Sequence, residues 1–422
     1  VSSFEAMWAE LAPIGRGDDG GYRRLPWSVA DSQMRAWFRD QATSRGLLID
    51  EDRNGNQWAW WGRPAPGAVV TGSHLDSVPG GGAYDGPLGV VSGFLALDRL
   101  RAGAGGAGPQ GIGAPGGAGV AASGSPARPV AVVNFAEEEG GRFGVACLGS
   151  RLLTGSIDPA RAGELTDADG VTLADAWRQA GLDPDRAGAD PERLGRIGTF
   201  VELHVEQGRR LADIGVPVGV ATAVWPHGRW RYDFAGRGDH AGTTRLADRS
   251  DPVLPLARTV LAARAAAEAA GDAVATVGKL TAHPGAVNAI ASRATAWLDA
   301  RAPDQATVRS VVAAVTAAAE DSGRSHGVTV RVAEESWSGG ADFGSELRAR
   351  LGRAVSGRLG AVAELPTGAG HDAAVLAAAV PAAMLFVRNP TGTSHDPAES
   401  ATLEDCLAGV DALTAVLEDL LA

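Results

Sequence analysis

Apolar runs of strand length alternate with stretches of helical period along the first third of the chain. In "DSQMRAWFRDQATSRG", Met34, Trp37 and Phe38 recur at the spacing of one helix face, and a glycine ends the stretch. "NQWAWWG" and "GAVVTGSHLDSV" predict strands, and "GPLGVVSGFLALDRLRA" resumes the helical period. "RPVAVVNFAEEEG" is an apolar strand that runs straight into three glutamates. Strand, helix and strand in this order predict a mostly parallel sheet, with ligands at the carboxyl ends of its strands. Both acid-bearing stretches fall at such ends.

The pattern changes near residue 213. "VPVGVATAVW", "RWRYDFAGRGDHAG", "AVATVGKLTAHPG", "RATAWLDARAP" and "VTVRVAEES" predict strands, separated by the helices "DPVLPLARTVLAARAAAEAAG" and "DQATVRSVVAAVTAAAEDSG". That set is α+β with antiparallel neighbours. The chain then returns to strand ("AVPAAMLFV") and helix ("LEDCLAGVDALTAVLEDLLA"). The predicted fold class is therefore α/β: a mostly parallel-sheet domain at 1–212 and 334–422, with an α+β domain inserted at 213–333. Residues 101–128 are a low-complexity run of Gly, Ala and Pro, which cannot bury enough surface to offset backbone entropy. They are expected to form a flexible surface insertion.

A chain of 422 residues suits two domains, and its 45% hydrophobic content is enough for a sizeable core. The formal net charge of −12, with no Lys/Arg run, argues against nucleic acid as a partner. The only cysteines, Cys147 and Cys406, rule out a disulfide framework and read as small buried hydrophobes. "VSSFEAMWAELAP" lacks a basic segment followed by an apolar core, and no window approaches the ~18 apolar residues of a membrane span. A cytoplasmic protein without signal peptide or membrane partner is expected.

The chemistry lies with the histidines. Of eight, His283 and His326 read as structural; others sit in acid- and glycine-rich contexts at strand or loop ends. In "HLDSVPGGGAYD", residues 74 and 76 face the same way on a strand. Asp76 can therefore accept from His74 or assist a neighbouring base. The glycines at 80–82 let the backbone turn so that Asp85 returns towards His74. His204 follows an apolar strand in "FVELHVEQG", and His395 lies in a loop after "AAMLFV". His74, Asp85, a glutamate of the 137–139 run, His204 and His395 form a mixed imidazole and carboxylate set that suits Zn²⁺ or Mn²⁺, with Co²⁺ and Ni²⁺ also fitting. Two such ions about 3.5–4 Å apart can share a carboxylate and polarise a carbonyl. A further glutamate would then serve as general base.

Taken together, "GSHLDSVPGGGAYDGPLGV", "EEEGGRF", "ELHVEQG", "DHAGTT", "NAIASRATAWLDAR", "GAGHDA" and "SHDPAE" resemble the M20 metallopeptidase-like amidohydrolases, in the hydantoinase/carbamoylase branch. These motifs span residues 72 to 399. That branch contains N-carbamoyl-L-amino acid hydrolases, allantoate amidohydrolases, ureidoglycolate amidohydrolases and β-ureidopropionases. The resemblance implies a metallopeptidase-like catalytic domain with an inserted lid and dimerisation domain. It implies two divalent ions per subunit, one held by His74 and His204, the other by Glu139 and His395, with Asp85 bridging. It implies Glu138 as general base, with Asp76 orienting the first site. His240 would stabilise the oxyanion, Asn288 and Arg301 would hold the substrate carboxylate, and Gln207, Gly370 and His371 would line the pocket.

The resemblance thus implies a homodimeric amidohydrolase that cleaves the ureido C–N bond of allantoate or an N-carbamoyl-L-amino acid, releasing ammonia and carbon dioxide. The alternatives are hydrolysis of another N-acyl amino acid (N-formyl, N-formimino or dipeptide) and a non-catalytic binding homologue. The lid departs from the family where "HAGTTRL" carries Arg245 for proline and "NAIASR" replaces "NVIPG". Arg229, Arg231, Arg245 and Arg388 are either surface charges or readers of a second acid group on the substrate.

Overall fold

The computed structural model describes residues 3–103 and 126–422. Most of the expected insertion at 101–128 lies outside the described residues. At its margins, Gly103 ends the helix Pro87–Gly103, and Arg128 donates to the carbonyls of Gly67 and Leu420 at 2.8 and 2.7 Å.

The chain divides into two compact units, Val1–Ala223 with Asp342–Ala422, and Val224–Ala341. In the first, a sheet runs in the order Leu48–Glu51, Gln57–Trp61, Val130–Phe135, Ala68–His74, Ile197–Val205, Ala382–Val387 and Val218–Val224. Its four central strands are parallel and its flanking strands antiparallel. Val130–Phe135, Ala68–His74 and Ala382–Val387 are buried at every position. Strands covered on both faces read as continuous apolar runs, which is why "VAVVNF" and "AAMLFV" lack alternation. The helices Pro87–Gly103 and Leu403–Leu421 pack on each other and contribute Leu88, Val91, Phe94, Val410, Leu413 and Leu417 to one core.

The second unit is an antiparallel sheet in the order Thr329–Ser338, His227–Ala235, Arg293–Arg301 and Val274–His283, with the helices Val253–Ala270 and Gln305–Ser325. In His227–Ala235 and Arg293–Arg301 the alternation is strict. Trp230, Tyr232 and Phe234 point into a core with Ala294, Ala296, Leu298, Val308, Val311 and Val315. The inserted unit begins and ends later than the expected 213–333. Val218–Val224 pairs with Ala382–Val387, which keeps it in the first unit. Thr329–Ser338 pairs with His227–Ala235 along its whole length, which carries the second unit past residue 333. Among the described residues no helix is long and apolar enough to cross a membrane.

Candidate metal centre

The parallel strands deliver the site from their carboxyl ends. His74 ends Ala68–His74, His204 is the penultimate residue of Ile197–Val205, the acid run follows Val130–Phe135, and His395 lies beyond Ala382–Val387. His74 turns Nδ1 to the Asp76 carbonyl at 3.1 Å, and His204 turns Nδ1 to the Val205 carbonyl at 2.9 Å. A carbonyl only accepts, so in the neutral rings Nδ1 carries the proton and Nε2 keeps its lone pair. Both Nε2 atoms are buried without a hydrogen-bond partner. Both face Asp85 Oδ1, at 3.5 and 3.1 Å. Asp85 Oδ2 lies 3.4 Å from His395 Nε2, which is 3.2 Å from Glu139 Oε2. Asp85 thus stands between two triads, His74–Asp85–His204 and Asp85–Glu139–His395, in each of which the donor atoms lie within 4.8 Å of one another. Orphaned lone pairs aimed at a shared carboxylate fit divalent ions of the Zn²⁺ or Mn²⁺ type.

A third group, Glu202–His204–His371, is equally tight. Two of its three residues are already committed, and the third, His371, keeps a buried Nε2 without a hydrogen-bond partner. His204 has one lone pair to give, and Glu202 accepts from the Ser73 hydroxyl at 2.7 Å and the Ala373 N–H at 2.9 Å. This group supports the first triad. The His371 ring lies tilted at 60° to that of His204, centroids 4.5 Å apart, and burial, reinforced by the charge of His204, keeps it well below the usual histidine range.

Charge points the same way. Burial pushes Glu138 well above the usual carboxylate range, with Asp372, Glu139 and Asp76 adding repulsion against the pull of His74. Burial also raises Glu139, reinforced by Asp85, and takes Glu399 to about 7. So many buried acids are costly unless positive charge joins them.

Local backbone geometry holds these groups. Asp76 accepts from the N–H groups of Glu138 and Glu139 at 3.2 and 3.1 Å, so its carboxylate organises the acid turn as well as lying near His74. Glu137 is buried, and its Oε1 takes the N–H groups of Arg142 and Phe143. Cys147 is buried as expected, and its S–H also donates to Glu138 Oε1 at 3.2 Å. Of the four left-handed non-glycine residues among those described, Glu137, Cys147 and His395 lie here. Such backbone strain persists only where surrounding contacts enforce it.

The glycines divide their work differently from the expected turn at 80–82. Gly80 supplies the left-handed turn (φ 78°), whereas Gly86 makes room. A Cβ at Gly86 would lie 2.4–2.6 Å from three atoms of the His74 ring, at a φ of 85°. Gly86→Ala is expected to destabilise the fold by at least about 1–2 kcal/mol from the left-handed backbone alone, and to push the His74 ring aside. Denaturant unfolding checks this; unchanged stability would refute the fit.

Gln207 joins the cluster directly, donating to Asp85 Oδ2 at 2.7 Å and to Ser394 Oγ at 3.0 Å. Gly370 precedes His371 on the same loop. His240, Asn288 and Arg301 belong to the second unit. There, Asp239–His240 pairs with Ala289–Ile290, and Ala241 N–H donates to the Asn288 carbonyl, so His240 and Asn288 are neighbours. Gly242 N–H donates to His240 Nδ1 at 3.0 Å, which places the proton of the neutral ring on Nε2. Arg301 forks onto Asp299 at 2.7 and 3.0 Å. The four arginines weighed for a second substrate acid all face acids of the chain: Arg229 with Asp299, Arg231 with Asp233 and Glu335, Arg245 with Asp248, and Arg388 with Asp405. Sequence reasoning assigned no role to Ser394 and Glu399, although both lie in the quoted "SHDPAE".

Residues 70–419 match the family model described as Peptidase family M20/M25/M40. The chain is 34% identical over 418 residues to an N-carbamoyl-L-amino acid amidohydrolase from Geobacillus stearothermophilus, covering 97% of this chain and 96% of the relative. It is 30% identical over 417 residues to the allantoate amidohydrolase of Escherichia coli (strain K12), covering 97% and 95%. A crystal structure of an amidase of the hydantoinase/carbamoylase family from Burkholderia vietnamiensis matches with a TM-score of 0.86 at 28% identity, covering 100% of this chain and 98% of that one. With a family model spanning most of its residues and relatives aligned along nearly its whole length, the chain belongs to the M20/M25/M40 peptidase family, in the hydantoinase/carbamoylase branch, and is a hydrolase acting on C–N bonds.

Proposed function

We propose that the chain is a dinuclear-metal amidohydrolase that removes the carbamoyl group of a small ureido acid, an N-carbamoyl-L-amino acid or allantoate, releasing ammonia and carbon dioxide. One observation carries this reading: Asp85 turns one oxygen to His74 and His204 and the other to His395, whose Nε2 also faces Glu139. His74, Asp85 and His204 would hold one ion, and Asp85, Glu139 and His395 the other. When bound, Zn²⁺ or Mn²⁺ ions would polarise the substrate carbonyl and make a water molecule more acidic.

The side chains do the rest. Glu138 takes the proton of the attacking water and passes it to the leaving nitrogen. Its Oε1 is anchored by Cys147, which leaves Oε2 free to move a proton beside His74, 3.6 Å away. The family resemblance assigns His240, whose neutral ring carries its proton on Nε2, as the donor for the developing oxyanion, and Asn288 and Arg301 as the groups for the substrate carboxylate. Gln207, Gly370 and His371 shape the pocket. We assign a homodimer through the second unit, whose exposed Leu254, Leu261, Val274 and Leu280 such an interface would cover. A cytoplasmic location fits the two free cysteines.

The test is product release by chelator-stripped protein with and without added Mn²⁺ or Zn²⁺. The panel is N-carbamoyl-L-amino acids, allantoate, ureidoglycolate, N-formyl-L-glutamate and a dipeptide. Metal-dependent ammonia from a ureido acid is expected. Formate or free amino acid alone would overturn the substrate class, and full activity in the stripped protein would overturn the metal chemistry.

A further inference from the structure

The segments carrying Asp85 and His395 are some 300 residues apart, and Glu399 joins Gln207 in tying them together. Glu399 Oε1 accepts the N–H groups of Tyr84 and Asp85 at 2.9 and 3.0 Å. Its Oε2 faces the Ser394 hydroxyl at 3.2 Å. That hydroxyl also stands 3.2 Å from Asp85 Oδ2. Glu399 is buried and packs against Gly82 so closely that a Cβ there would lie 2.4 Å from its Oε1 and 2.5 Å from its own Cβ. Glycine at 82 is what lets Glu399 reach the Asp85 backbone.

The two triads depend on this clamp unequally. His74 and His204 are buried, and each ring is fixed through Nδ1 by a backbone carbonyl. His395 has a side chain 49% exposed and a left-handed backbone at φ 57°. Its ring faces only site groups: Asp85, Glu139 and Gln207. The side-chain bonds of Asn389 close the 389–393 turn upon itself and do not anchor it to the Asp85 segment. The placement of His395 against Asp85 therefore runs through Ser394, which Glu399 ties to the Asp85 backbone and Gln207 to the Asp85 carboxylate.

We propose that Glu399 is a positioning residue for the second ion site, coupling the Asp85 segment to the His395 loop so that Asp85, Glu139 and His395 converge. The proposal rests on the dinuclear reading above. It makes the His74–His204 site the tight one and the Glu139–His395 site the one that Glu399 controls.

Calorimetric titration of the metal-stripped full chain with Mn²⁺ or Zn²⁺, with metal content after dialysis, tests it. Wild type is expected to bind two ions per chain. Glu399→Ala is expected to keep the first at wild-type affinity and to bind the second about 10–100-fold more weakly, the range seen when a group orienting a ligand is removed. Ser394→Ala, which removes the hydroxyl's contacts with Glu399, Asp85 and Gln207 but leaves Glu399 packed at Gly82 and bonded to the Tyr84 and Asp85 amides, is expected to weaken the same site by a smaller factor. It carries the test should Glu399→Ala not fold. Two ions bound at wild-type affinity in both variants would overturn the clamp alone. Equal weakening of both sites would show a general structural role and overturn it too. Wild type binding no ions would overturn the dinuclear reading and the clamp with it.

Discussion

Glu138→Gln is expected to leave both metal ions bound and to lower turnover by roughly 10²–10⁴-fold, the range for loss of a positioned general base. The two triads are completed by Glu139, so glutamine at 138 removes no donor from either. The amide is isosteric and can still accept the Cys147 S–H, and the backbone N–H still bonds Asp76 Oδ1 at 3.2 Å. What it cannot do is take up a proton. Burial, with neighbouring acids against it, pushes the Glu138 carboxyl well above its ordinary range, the direction in which a carboxylate becomes a stronger base. Turnover measured beside metal content separates the roles. Turnover within a fewfold of wild type with two ions bound would remove Glu138 from the chemistry, and loss of an ion would make it a ligand.

The neighbouring carboxylates show how far residue type alone could go. "EEEGG" announced charge at a strand end, and three adjacent acids proved to have three environments. Glu137, buried with a left-handed backbone and its carboxyl pushed to about 8, holds the Arg142 and Phe143 amides. Glu138 lies against Cys147 and His74, and Glu139 against His395. Nothing in the run itself distinguishes them; the turn that aims them apart is fixed by Asp76, some sixty residues away.

The strands and helices that carry the site were legible because buried parallel strands and amphipathic helices write their period into the chain. "AAMLFV" and "RWRYDFA" announce opposite kinds of sheet, one covered on both faces and one on a single face. The edges of the inserted unit were not legible. Whether Val218–Val224 joins the first sheet or the second depends on its pairing with Ala382–Val387, and local sequence does not encode that choice. The same holds for Glu399. Its partners are backbone N–H groups of Tyr84 and Asp85, and backbone amides leave no trace in residue identity. Gly82 was the available signal, since a glycine without a left-handed backbone marks close approach by something else.

Asp85→Asn is expected to reduce bound metal from two ions to at most one per chain and to lower turnover on the order of 10³-fold, since ions that stabilise several kcal/mol of developing charge lose their shared ligand. The argument is one of geometry. With its amide nitrogen in place of Oδ1, asparagine would donate to the bare Nε2 atoms of His74 and His204, occupying the lone pairs that should hold an ion. With the nitrogen in place of Oδ2, it would meet the Gln207 amide, donor against donor, and offer nothing to the ion beside His395. Either orientation spoils one triad, and the lost negative charge weakens the other. Metal analysis after dialysis reads this directly. Two ions retained at wild-type affinity would mean that Asp85 is not shared between them, and the bridging role would fall.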